Sequence, residues 1–470
     1  MKQSNESGAI THGNLLMLIG DVAVQVVDLE IHEEPGRHGR LLVTVMAEEA
    51  VKEYILHEGE GAVSLLYLKE ESLNCLFRGT VRHMKVAAAA ETYYIHLEAE
   101  TGSFRMDIDK DTLSFQDTAM TSHQLFAKLM EFYPGSQILL SVPDQPMGRI
   151  ALQYQETFWE FLKRMASAYG AQLFADSTSQ TIRIRMGLWE EEEPTELEDS
   201  SYTIIRNTAP KEVDRQLKEQ MIYQTETYEI LPLGAGVRFL GQKLYVGHID
   251  RTLKDGLLVN QYRLYFKEGL QIRKYYNPLI SGISVDGAVT GIQRNQVQVQ
   301  MATDALTDCQ SQYYFPFSTV AASADGSGWY CMPKAGDPVR IFFPVSDEKE
   351  GYAISNIQGQ STPSAGDPME NPDLKDITTP DGKTVKFIEN GILLAVGGGK
   401  GTITLTNDGK AEIKATEDIE IGAAQMVTIT TEGELKLTAN VEIQFTSDAG
   451  SGVTVTDNEV AAKGSRIINN

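Results

Sequence analysis

From Ile403 onward the apolar side chains recur every eight residues. One column reads Ile403, Ala411, Ile419, Val427, Leu435 and Ile443. A second, two residues on, reads Leu405, Ile413, Ile421, Ile429, Leu437 and Phe445. All twelve positions across these six octads are apolar, a register that chance alternation does not hold. Residues two apart share one face of a strand, so each octad supplies a short strand and then a polar turn. Gly401, Gly409 and Gly433 fall in one octad phase, as a recurring tight bend requires. The whole segment 383–470 has no proline, no cysteine and two aromatic residues, Phe387 and Phe445.

A strand this short cannot bury an apolar face by itself. A single-chain solenoid usually takes about 20 residues or more per coil, whereas eight residues make one side of a three-sided coil. Three chains wound together supply the other two sides. Their apolar columns then meet along a threefold axis, and each chain pairs the strand edges of its neighbours. The alternative is a flat meander within one chain, which keeps two open edges and one bare hydrophobic face.

The rest of the chain is different in kind. Residues 1–280 mix alternating segments, such as LFRGTVRHMKVAA and ETYYIHLEAET, with two helical ones. The alternating pair reads as antiparallel neighbours. A helix begins near His123 and stops at Pro134–Gly135. A second carries Phe158, Phe161, Leu162, Met165 and Tyr169 on one face, with Thr157 and Glu160 as a reciprocal cap and Gly170 as its stop. This is an α+β body, expected as two subdomains. Residues 281–362 read as short strands with glycine and proline turns, for which a small closed β-barrel is the economical fold. Residues 363–382 hold Pro363, Pro368, Pro372 and Pro380 and read as an extended linker. The octad segment 383–470 completes a multidomain, mainly β chain.

Composition excludes several functions. Among 470 residues, Asp and Glu outnumber Lys and Arg by 65 to 41, a net charge of -24. Phosphate neutralisation needs the opposite balance, so neither nucleic acid nor an anionic membrane surface is an expected partner. The acidic run Glu190–Glu193 reads as a solvated loop. Cys75, Cys309 and Cys331 are too few and too scattered for a disulfide framework or a zinc site. The N-terminal sequence lacks a basic region feeding an apolar one, and no apolar run is long enough to span a bilayer. Cytoplasmic synthesis and assembly, and no integral membrane segment, are the expectation.

In order along the chain, these features resemble the VgrG family of type VI secretion spikes and the hub-plus-needle proteins of contractile phage tails. Within 153–174, the stretch YQETFWEFLKRMASAYGAQLF resembles the family's hub helix, with Phe161, Leu162, Arg164 and Gly170 at the matching positions. Tyr276–Gly291 looks like the start of the family's OB-type barrel. Gly328–Pro344 resembles the hairpin that closes it, with Trp329, Pro333, Gly336, Asp337 and Val339 matching. The octads look like the intertwined trimeric β-helical needle. Two departures stand out: no lysozyme domain lies between barrel and needle, and the chain stops at Asn470 directly after the repeat. No histidine lies beyond His248, so the histidine-centred metal site of some phage needles is not expected.

The resemblance implies a homotrimeric spike and hub that caps an inner tube and punctures a target envelope. It implies an inner-tube protein, baseplate proteins, a PAAR-type tip protein and effector cargo as partners, no cofactor, and expulsion when a sheath contracts. No catalytic constellation stands out. There is no G-x-S-x-G elbow, H-E-x-x-H helix or P-loop, so the protein is not expected to be an enzyme. The alternatives are a spike with envelope-hydrolase activity hidden in residues 1–280, and a trimeric receptor-binding tail fibre. Trp159, Phe161 and Leu162 read as hub core, Arg164 equally as an internal ion pair or a solvated side chain, and Trp329 as barrel packing. Cys309 and Cys331 read as unpaired thiols, and His38, in EEPGRHGR, as part of a hairpin turn.

Overall fold

The computed structural model describes the chain except residues 1–8, 58–60, 90–91, 191–193, 199–200, 211–216, 306–311, 322–330, 357–373, 380, 449 and 469–470. It divides into two units at 357/358.

In the first unit, strand patterns of period two decide the architecture. In Arg40–Ala47 the side chains of Leu41, Val43, Val45 and Ala47 point inward and their neighbours outward. Six antiparallel strands, Leu15–Ile19, Val22–Glu33, Arg40–Ala47, Ala62–Lys69, Ser72–Ala89 and Thr92–Glu100, form a barrel. It closes because Leu15–Ile19 pairs with both Val22–Glu33 and Ala62–Lys69. The segments read as antiparallel neighbours pair from Thr80↔Glu100 to Ala89↔Thr92. Helix α1 (Glu49–His57) lies in the connection between two of the strands. Leu29, Ile31, Leu41, Leu65, Phe77 and Leu97 fill the interior. At Gly79 a Cβ would sit 2.3 Å from the Glu100 carbonyl oxygen, so the close strand approach there requires glycine.

The same sheet continues past the barrel. Val22–Glu33 pairs at its far end with Gln242–Lys254, through Glu33↔Ile249, His32↔Asp250, Ile31↔Arg251 and Glu30↔Thr252. Beyond this seam lie Leu257–Tyr265, Leu217–Thr227 and Tyr202–Pro210, with Gly236–Phe239 and Thr195–Glu196 on a branch. Val237, Phe239, Leu244, Val246, Tyr262 and Leu264 form a separate core beneath them.

Between these two halves in sequence comes the helical body. Helix α2 (Ser122–Glu131) and helix α3 (Phe158–Ser167) both begin with a capping box. In α3 the Thr157 hydroxyl accepts the Glu160 N–H at 3.1 Å, and the Glu160 carboxylate accepts the Thr157 N–H at 3.0 Å. Gly170 takes φ +65° and ends the turn. Arg183–Met186 then pairs antiparallel with Leu173–Ala175 and parallel with Gln137–Leu140.

Residues 283–355 form a five-stranded sheet of order Tyr314–Pro316, Gln296–Met301, Ile283–Gln293, Pro338–Phe343, Tyr352–Ser355. A Phe317↔Ala353 bridge, with the Ser318 N–H donating to the Ala353 carbonyl, joins its two edges into a small barrel. Its core of Val289, Val297, Phe315, Ile341 and Phe343 also takes in Ile150 and Leu152 from the helical body.

The second unit has two sheets. Lys375–Thr378, Thr384–Ile388, Gly391–Val396, Gly401–Thr406 and Ala411–Ala415 form an antiparallel meander. Glu442–Thr446, Gly452–Thr456 and Val460–Lys463 form another. The stretch expected as a linker is therefore already a strand at Lys375–Thr378, because its alternation pairs with Thr384–Ile388. Pro363, Pro368, Pro372 and Pro380 lie outside the described residues.

Leu162 is fully buried between the helices and strands of the helical body. Leu162→Ala should lower stability to urea, followed by tryptophan emission, by about 2–5 kcal/mol.

Candidate functional site

Two features of the described residues are built beyond what packing alone needs: a buried charge cluster in the first unit and a bare apolar face in the second.

The charge cluster is centred on Arg164. Its position in the last turn of α3 turns it away from the apolar stripe and toward the small barrel. Only 2% of the residue is exposed. Nε donates to Glu156 Oε1 and Nη2 to Glu156 Oε2, both at 2.8 Å, in a bidentate fork. Nη1 donates to Glu348 Oε1 at 2.6 Å, and Nη2 also donates to the Leu152 carbonyl at 2.7 Å. Glu348 belongs to the small barrel and is 1% exposed. One guanidinium therefore ties helix α3, the preceding strand Ala151–Thr157 and the small barrel. Burial works against its charge, but the hydrogen bonds to Glu156 and the charge of Glu348 outweigh burial and raise its pKa.

A second polar joint lies nearby in the same boundary. Asp304, from the barrel, accepts from Ser114 Oγ at 2.5 Å, Gln116 Nε2 at 2.8 Å and the Met301 N–H at 2.9 Å. The Ser114 N–H donates to the Thr303 carbonyl, and the Ala305 N–H to that of Ser114. Burial pushes the Asp304 carboxyl above its usual range, against these hydrogen bonds. Barrel and hub are thus joined by backbone pairing, a buried ion cluster and a shared apolar core.

The other residues of the family resemblance are placed as follows. Phe161 and Leu162 have no exposed surface. Val339 is buried and pairs with Gly287 and Ser355. Gly336 takes φ +92° in a turn where Asp337 Oδ2 accepts the Lys334 N–H at 2.7 Å, and Pro333 is half-buried. Trp329 and Cys309 lie outside the described residues; Cys331 is exposed. Glu190 pairs with Lys243 at 2.5 Å, while 191–193 lie outside the described residues. Among the described residues no group of three or more His, Cys, Asp or Glu has metal-binding geometry, and no helix is long and apolar enough to cross a membrane.

The apolar face is the octad face. A single chain pairs the first octads as a meander, Ile403↔Ile413 and Leu405↔Ala411, with Ile403, Leu405 and Ile413 left 41–57% exposed. From 416 to 441 no strand is assigned. There Ile419, Ile421, Val427, Ile429, Leu435 and Leu437 are 50–70% exposed. Ile443 and Phe445 return to a sheet, facing Val455 and Val453, and Phe445 stays 52% exposed.

Arg164→Met would leave Glu156 and Glu348 as buried, unpaired carboxylates and should cost about 3–5 kcal/mol in a denaturation experiment. Adding Glu348→Leu should recover part of that loss, because it removes one stranded charge together with its partner.

No family model matches the sequence, and no curated protein matches it. Solved structures do. An Escherichia coli protein, described as a component of the type VI secretion system with structural similarity to bacteriophage T4 tail proteins gp27 and gp5, is 14% identical. It aligns over 72% of this chain and 98% of its own, with a TM-score of 0.51. A chain of the lidless PdpA–VgrG complex is 8% identical over 87% of this chain and 98% of its own, with a TM-score of 0.55. A chain of the half-lidded Francisella PdpA–VgrG complex aligns over 87% and 88% at 8% identity, with a TM-score of 0.54. At these identities the shared property is the fold: this chain has the mainly β, multidomain fold of the type VI secretion component and of the chains from the PdpA–VgrG complexes.

Proposed function

We propose that the protein is the subunit of a homotrimeric spike and hub of a contractile injection machine. The observation that carries this reading is the stretch 416–441, which has regularly spaced large apolar side chains and no strand pairing among the described residues. Ten of the twelve column residues are large and exposed. Burying the remaining half of each is worth roughly 10 kcal/mol per chain at about 1 kcal/mol apiece. That is comparable to the ~4–15 kcal/mol cost of association, before inter-chain hydrogen bonds are counted.

Three wound chains put both columns on a threefold axis and give every octad a strand on each side. Such a needle resists peeling, because no strand leaves without breaking bonds to two other chains. The hub would dock on an inner-tube protein and the baseplate, a PAAR-type protein would cover the tip, and effectors would travel with the assembly. The neighbouring Francisella VgrG is solved in complex with PdpA, which supports partner carriage by this fold. The particle would assemble in the cytoplasm and be expelled when a sheath contracts. The reading needs no cofactor and no reaction: the buried Arg164 and Asp304 clusters face packed protein and serve as joints.

Light scattering on the full-length protein should give three times the chain mass, and Ile421→Asp with Ile429→Asp should reduce it to that of one chain. A monomeric wild type would overturn the proposal. Incubation with purified peptidoglycan should release no soluble fragments; release would favour a hydrolytic spike. Binding to a cell-surface glycan without binding to an inner-tube protein would favour a tail fibre.

A further inference from the structure

Within the first unit, the large barrel, the helical body and the second half of the large sheet meet around a cavity of about 360 Å³. Barrel strand Ser72–Ala89 contributes Leu76, strand Arg183–Met186 contributes Arg183 and Arg185, and the segment before Gly236–Phe239 contributes Leu231 and Leu233. Small-molecule sites have volumes of about 300–1,000 Å³ and favour such junctions. This one is more than twice the ~150 Å³ that admits a benzene ring.

The wall is apolar. Leu76, Phe174, Leu231 and Leu233 are buried, and the Phe174 ring meets the Trp189 indole edge-on, with centroids 6.1 Å apart. The floor is polar but neutral. Arg251 and Glu33, 2% and 4% exposed, form an ion pair in which Arg251 Nη1 donates to Glu33. Ser177 Oγ donates to the same carboxylate at 3.2 Å, and Arg251 Nη2 donates to the Leu231 carbonyl at 2.8 Å. Arg251 Nε is buried and has no acceptor. The Tyr262 hydroxyl lies beside the guanidinium but is already committed. It accepts the Leu231 N–H at 2.9 Å and donates to the Glu229 carbonyl at 2.8 Å. A buried N–H without a partner bears the cost of its lost hydration, and an acceptor entering the cavity would offset it.

The rim carries the net charge. Arg183 and Arg185 are two apart on one strand and share a face. Arg183 reaches Asp176 at 3.5 Å, with 45% of its side chain exposed. The Arg185 guanidinium lies over the Trp189 ring, 4.2 Å from its centroid. Acidic side chains outnumber basic ones by 65 to 41, yet among the described residues no carboxylate pairs with Arg185. Stacking occupies the face of a guanidinium and leaves its edge of N–H donors open. That edge takes a carboxylate in a bidentate fork.

We propose that this cavity binds a small organic acid. The ligand has a flat apolar body, a carboxylate held at the rim by Arg185 and Arg183, and a neutral hydrogen-bond acceptor held at the floor by Arg251 Nε. Solvation sets the order of the two ends. At the rim a carboxylate keeps part of its water, whereas at the floor it would add a second buried anion beside Glu33. The site lies within one chain and is independent of the trimer proposed above.

The probe is 4-acetylbenzoate, which carries both ends on one ring. Its methyl ester is the uncharged control, and benzoate is the control without the ketone. Binding to the full-length protein is read in two ways. One is saturation-transfer NMR of the probe, titrated for affinity. The other is shielding from iodoacetamide of Cys75, whose side chain lines the same cavity, with exposed Cys331 as the internal reference. The acid should slow alkylation of Cys75 and leave that of Cys331 unchanged. The ester and benzoate should each bind about tenfold more weakly, as expected for losing one hydrogen bond that involves a charged group. Arg185→Gln should bring acid and ester to the same affinity, and Arg185→Lys, which keeps the charge but not the fork, should restore part of the difference. No saturation transfer to the acid, equal shielding of Cys75 and Cys331, or equal affinity of the acid and either control would overturn the proposal. So would an acid affinity that Arg185→Gln leaves unchanged.

Discussion

An eight-residue strand with two apolar side chains cannot bury them by itself, and the C-terminal unit is organised around that unmet demand. Where a single chain can fold neighbouring octads back on each other, it does so, through Gly401–Thr406 and Ala411–Ala415. The partners then run out. The column side chains from Ile419 to Leu437 keep half or more of their surface in water, and exposed apolar surface of this kind marks an interaction site. The proposed threefold winding would remove the patch and the open edges with one symmetry operation.

The first unit handles its boundaries with charge instead. The Arg164 cluster spans the helical body and the small barrel, and the Arg251–Glu33 pair spans the two halves of the sheet. Buried ion clusters of this kind add little net stability compared with apolar packing, but they are costly to break one partner at a time. They therefore fix which surfaces meet. The Asp304 joint adds directional hydrogen bonds at the same boundary.

Much of this was legible in the sequence, because periodicity is a local property. The capping box at Thr157 and Glu160, the stop at Gly170, and the hairpin of Ser72–Ala89 with Thr92–Glu100 all depend on residues close in the chain. The joints do not. Arg164 and Glu348 are 184 positions apart, and His32 and Asp250 are 218 apart. Nothing in EKE around Glu348 distinguishes a buried carboxylate from a solvated one, so Arg164 stayed ambiguous until the fold placed a barrel against it. The segment 363–382 is a different case: its prolines lie outside the described residues, while the weak alternation of Lys375–Thr378 acquires meaning only when Thr384–Ile388 lies beside it. The octads are a third case: the repeat implies a strand-and-turn unit, but among the described residues no strand pairs with 416–441.

The central claim is that the octad columns meet on a threefold axis. Electron microscopy of the purified full-length protein tests it most directly. The account predicts particles with threefold symmetry and a narrow rod in which Ile421 and Ile429 of three chains converge on the axis. Particles of a single chain, or a trimer in which those side chains face solvent, would contradict it.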